Sequence, residues 1–148
     1  MPGNRCYVPE SGGEVVFEAI PSPAAGSDWI FVVPDGFEYL FTNVTYRLTT
    51  DATAHTHTPS LQYVNTPDGS ILYQQQLAEQ IESVVRSYYL SLGNSRNGLV
   101  VAANNILGGS LPRTRVLAGN SIGSSTVFMD AGDTYTFVGF VAKRWKVI

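Results

Sequence analysis

Residues Trp29–Asp51 read WIFVVPDGFEYLFTNVTYRLTTD. An apolar run, a Pro-Asp-Gly turn and a long alternating run follow one another. Pro34 presets φ for a turn and Gly36 accepts a positive φ. The residues on either side are β-branched and aromatic, the types that suit a pleated, half-covered surface. The stretch therefore reads as two β-strands joined by a tight corner. From Phe37 to Phe41 both faces are apolar; from Val44 to Leu48 only one is, with Asn43, Thr45 and Arg47 opposite. A strand passing from a covered position to a solvated edge carries this pattern.

Thr126–Trp145, TVFMDAGDTYTFVGFVAKRW, repeats the strand–turn–strand grammar at the other end of the chain. Period two puts Tyr135, Phe137, Val141 and Trp145 on one face of its last strand, and Val138, Phe140 and Ala142 on the other. Apolar residues on both sides predict a central strand, or a sheet whose outer face meets a partner.

Further strands are predicted at Glu14–Ile20, Leu61–Asn65, Ser70–Gln75, Leu99–Ala102 and Arg113–Leu117. Thr66–Gly69 (TPDG) and Asp130–Asp133 (DAGD) read as hairpin turns. Thr49–Pro59 reads as a loop followed by an exposed strand, and Asn104–Pro112 as irregular because of Gly108 and Gly109. Leu77–Leu92 sends mixed signals. Leu77, Ile81, Val84 and Tyr88 have helical spacing, while Val85, Tyr89 and Leu90 favour a strand. The reading is a short helix or turn over 77–83, then a strand near Val85–Leu92. About eight short strands at near-regular spacing make an all-β domain: an antiparallel β-sandwich, jelly roll or small barrel. Residues 1–13 form an N-terminal arm, and 14–148 a single β-sandwich domain.

Of the 148 residues only 14% are charged, well below the usual quarter, while Tyr and Phe number 8 and 7. A low-charge surface rich in aromatic residues suits a subunit inside an assembly. A net charge of −3 gives no general attraction to nucleic acid. The single cysteine, Cys6, excludes an internal disulfide and reads as incidental. There is no apolar run of the length that spans a membrane as a helix, about 18 residues or more. No secretory leader opens the chain, so a cytoplasmic site of synthesis is expected.

Chemistry is sparse. The two histidines, His55 and His57, share one face if AHTHT is a strand, and such a pair can ligate a metal. The nearby sequence offers only Asp51 as a further ligand, so they are weak metal candidates. Glu79 with Glu82, and Asp130 with Asp133, read as solvated helix and turn residues. DAGD lacks the spaced oxygen ligands of a calcium loop. No nucleophile elbow, P-loop or dinucleotide fingerprint is present, so neither catalytic residues nor a cofactor are expected. The terminal AKRWKVI places Trp145 between Arg144 and Lys146, fit either to cap the core or to stack on a partner. Trp29, Trp145 and tyrosines are the candidate platform of an alternative, sugar-binding reading. Partner contacts are expected at Tyr7 and Val8 in the arm and at Phe137, Arg144 and Trp145 in the last strand.

Three stretches together resemble small tailed-phage virion proteins of the jelly-roll type. They are PDGFEYLFTNVTYRLTTDAT (Pro34–Thr53), PDGSILY (Pro67–Tyr73) and LPRTRVLAGNSIGSSTVFMDAGDTYTFVGFVAKRW (Leu111–Trp145). The resemblance spans roughly Glu14–Trp145 and brings no catalytic residues. It implies a capsid decoration or cement protein that binds the major capsid protein lattice, as a homotrimer, on the virion surface after synthesis in the host cytoplasm. A tail, neck or fibre component with a carbohydrate- or receptor-binding sandwich is the alternative.

Overall fold

The computed structural model describes residues 13–93, 99–101 and 105–147, with only the backbone for 99–101. Tyr7, Val8 and Cys6 lie outside the described residues. Ten strands follow in order: β1 (Glu14–Ile20), β2 (Ile30–Val32), β3 (Phe37–Thr49), β4 (Thr58–Asn65), β5 (Ser70–Gln76), β6 (Val85–Leu92), β7 (Leu99–Val101), β8 (Ile106–Leu111), β9 (Ser121–Val127) and β10 (Thr134–Lys146). They build a six-stranded sheet, β1-β10-β3-β6-β8-β7, and a four-stranded sheet, β2-β9-β4-β5.

The pairing is nested. β4 pairs with β5 across the Thr66–Gly69 turn, β3 with β6, β2 with β9 and β1 with β10. The chain is thus a long double strand that folds over itself, each successive pair entering the opposite sheet. β10 then pairs with β3, and β4 with β9, to close each sheet. This winding is the jelly roll among the β-sandwich forms expected from the sequence. β7 and β8 are an insertion between β6 and β9 that extends the larger sheet. The core between the sheets is aromatic: Tyr46 stacks on Tyr88 at 4.8 Å, and Phe41 meets Phe140 edge-on at 5.0 Å.

Several expectations are corrected. β8 runs parallel to β6, so the sandwich is not wholly antiparallel. β8 also occupies the stretch expected to be irregular. Gly109 suits it, because a Cβ there would overlap the buried Leu90 side chain. Arg113–Leu117 forms no strand, and its β-pairing with the sheet is an isolated Tyr39–Val116 bridge. The helix alternative at 77–83 does not form. Ser83 N–H donates to Asp51 O, and Ala78 O and Glu79 O accept from Arg86, so tertiary partners take groups whose bonds a helix would need. Asp130–Asp133 is no hairpin turn, because β9 and β10 belong to different sheets.

Two bulges reset the phase of the long strands. On β10, Thr136 faces Arg47 and Gly139 faces Thr45, so Phe137 and Val138 together oppose Tyr46. On β3, Phe41 faces Ala142 and Asn43 faces Val141, leaving Thr42 as the extra residue. Tyr135, Val138, Phe140 and Ala142 are therefore buried, and Phe137 is turned out at φ 51°. Strict alternation had put Tyr135 and Phe137 on the same side.

Candidate functional site

The densest polar cluster among the described residues lies where the β3–β4 connection meets the β9–β10 corner. His57, just before β4, forms a two-way backbone bridge with Gln80: His57 N–H donates to Gln80 O at 2.9 Å, and Gln80 N–H to His57 O at 3.0 Å. The His57 ring is buried, and its Nδ1 also lies 3.1 Å from Gln80 O. A carbonyl only accepts, so Nδ1 carries the hydrogen and Nε2 is left to face the cluster. Gln80 is itself buried and fixed. Its Nε2 donates to Leu48 O and Val84 O, and its Oε1 accepts from the Tyr88 hydroxyl.

His57 Nε2 lies 2.8 Å from Asp133 Oδ2 and 3.1 Å from Asp130 Oδ2. Asp133 is wholly buried and accepts Asp51 N–H at Oδ1 and Asp130 N–H at Oδ2. Asp130 is nearer solvent and meets His55 Nδ1 at 2.9 Å. Asp51 accepts Thr53 N–H and Gly132 N–H, tying the two loops together. The bonds from Thr53, more than that from Gly132, hold the Asp51 carboxyl below the usual carboxylate range. One donor atom each from His57, Asp130 and Asp133 falls within 4.8 Å of the others, a set able to hold a metal ion.

The sequence supplied these residues but not their meeting. In the sequence Asp130 and Asp133 look like solvated turn residues, far from His55 and His57 along the chain. Only the nesting of β3–β4 against β9–β10 closes a gap of 73 residues between His57 and Asp130. Nor do the histidines share a strand face. Residues 52–56 lie outside any strand, and both histidines reach Asp130 from loop and bridge positions.

A second feature is the outer face of β1, β10 and β3. Phe17 and Phe137 are 76% and 74% exposed. They border an open groove of about 560 Å³, also lined by Ala19, Asn43, Thr45 and Val141. The Arg47 guanidinium lies 4.8 Å from the Phe137 ring centre. A bulky residue in the left-handed region costs about 1–2 kcal/mol, and here the ring stays largely exposed, with Arg47 stacked against it.

The other sequence candidates are engaged internally. Arg144 Nε donates to Glu14 at 2.9 Å, and its guanidinium covers the Phe37 ring. Trp145 is 5% exposed and Trp29 2%, so neither offers a stacking platform for sugar. Arg115 lies over the Trp145 ring at 3.8 Å, which places this tryptophan as a cap at the end of the sheet. No family model, no curated protein and no solved structure matches the chain.

Proposed function

We propose that the chain is a structural subunit that associates with copies of itself through the outer face of β1, β10 and β3. Its setting, on the resemblance of the three stretches given above, is the virion of a tailed phage, where it decorates and clamps the major capsid protein lattice as a trimer. Placement in the tail, neck or fibre is the rival. The role is mechanical, with no catalytic step assigned.

The observation that carries this reading is Phe137. An aromatic ring is held outward on a bulge, in an unfavourable backbone conformation, beside Phe17 at the same open groove. Such strain persists where the surroundings or a partner require it. Many copies of a modest contact then hold a lattice by avidity.

Phe137→Gly separates assembly from folding. Relief of about 1–2 kcal/mol of backbone strain offsets a lost cation–π contact of about 0.5–1 kcal/mol. The isolated chain should stay within about 1 kcal/mol of the parent. In light scattering after size exclusion, the parent is expected as a trimer and the variant as a monomer. A parent that remains monomeric at high concentration overturns the reading.

A further inference from the structure

The geometry points to a binding site for a first-row divalent transition ion, held by His57 Nε2, Asp130 and Asp133. Three electron-pair donors converge there at 2.8 and 3.1 Å. Nδ1 of His57 is committed to Gln80 O, so the Nε2 lone pair and two carboxylates face one another. Three acceptors cannot sit this close unless a cation lies among them, either a proton or a metal ion.

Two features favour the metal, and the spacing admits it. A proton on Nε2 makes one good hydrogen bond and must be shared between two oxygens, whereas an ion bridges all three donors. Tetrahedral metal bonds of about 2.0–2.2 Å place neighbouring donors about 3.3–3.6 Å apart, so a shift of a few tenths of an ångström from the 2.8 and 3.1 Å found here admits the ion. A ring nitrogen anchored on a buried backbone carbonyl is also the usual support of a ligating histidine. Gln80 supplies that anchor and is locked on Leu48, Val84 and Tyr88.

The charge balance agrees. Two carboxylates neutralise a divalent ion, and among the described residues the ion pairs of Asp130 and Asp133 are all with histidine. Imidazole with carboxylates selects zinc and its neighbours over calcium or magnesium. His55 Nδ1 straddles the Asp130 carboxylate, 2.9 Å from Oδ1 and 3.1 Å from Oδ2, where it orients that ligand. The ion would staple the β3–β4 connection to the β9–β10 corner. This inference does not depend on the assembly reading.

The test uses the full chain, stripped with chelator and dialysed, titrated with zinc in a calorimeter and followed by thermal unfolding. One zinc per chain and a raised midpoint are expected. Asp130→Asn should weaken zinc binding by more than the about 10–100-fold typical of losing a supporting contact. His55→Gln should weaken it by about tenfold. His57 and Asp133 are too buried to be the first variants. Asp130→Asn is scored only as a cooperatively folding protein, and His55→Gln stands in if it does not fold. Cys6→Ser should bind as the parent does. Absence of both heat and a midpoint shift in the folded parent overturns the site. So does zinc binding that survives Asp130→Asn and His55→Gln unchanged, or that is lost in Cys6→Ser.

Discussion

Asp133 shows how much one side chain can organise. It is wholly buried, and its two oxygens accept the Asp51 and Asp130 N–H groups while facing His57 Nε2. Replacing it with alanine leaves two part-buried N–H donors and the buried imidazole without their common acceptor. Removing one partner of a buried charged pair costs about 3–5 kcal/mol. Asp133→Ala is therefore expected to lose about that much in urea denaturation; a loss of under about 1 kcal/mol would mean that water replaces the carboxylate. The sequence showed Asp130 and Asp133 only as turn residues. A turn carboxylate and a buried hub look the same in one dimension, because burial depends on which loop lies opposite.

At the scale of the strand, period-two reading worked wherever the ladder is regular. On β1, alternation puts Val15 and Phe17 on one side, and both are exposed, while Val16 and Ile20 pack toward the core. It failed on β10, because the bulge at Phe137–Val138 shifts the phase by one residue. A bulge leaves no mark that alternation alone can detect. β9 makes a different demand. Gly123 faces Ile30 on β2, and a Cβ on it would lie 2.5 Å from Trp29 O. That neighbour is backbone, and Trp29 is bonded to Ser124 through both its N–H and its carbonyl. Gly123→Ala should cost about 1–3 kcal/mol by overpacking. An unchanged denaturation midpoint would show that β2 can slide away from β9.

Across the whole molecule, the core is lined with tyrosine, and this sets its alkaline limit. Burial pushes the Tyr88 hydroxyl up to about 12, and the hydroxyls of Tyr46, Tyr63 and Tyr135 are raised also, in each case chiefly by burial. Free tyrosine ionises near about 10. Below that pH both states keep the proton and stability is unaffected. Above it the unfolded chain ionises first, so stability falls as pH rises from about 10 through about 12. Denaturation midpoints measured across this range should be flat, then drop together with the appearance of phenolate absorbance. Phenolate that forms near pH 10 without unfolding would mean that these rings are open to water.

The sequence by itself determined the class of the fold and most of its strands. Alternation, β-branched and aromatic content, and Gly/Pro corners are local signals that survive in one dimension. It also marks a chain low in charge and rich in aromatic residues. Which strands become neighbours was decided by tertiary structure alone. The nested pairing joins residues at opposite ends of the chain, as with Glu14 and Arg144. The parallel insertion, the two bulges and the His57–Asp130–Asp133 cluster all follow from that pairing. Their energies come from groups far apart in sequence, and no window along the chain contains both partners.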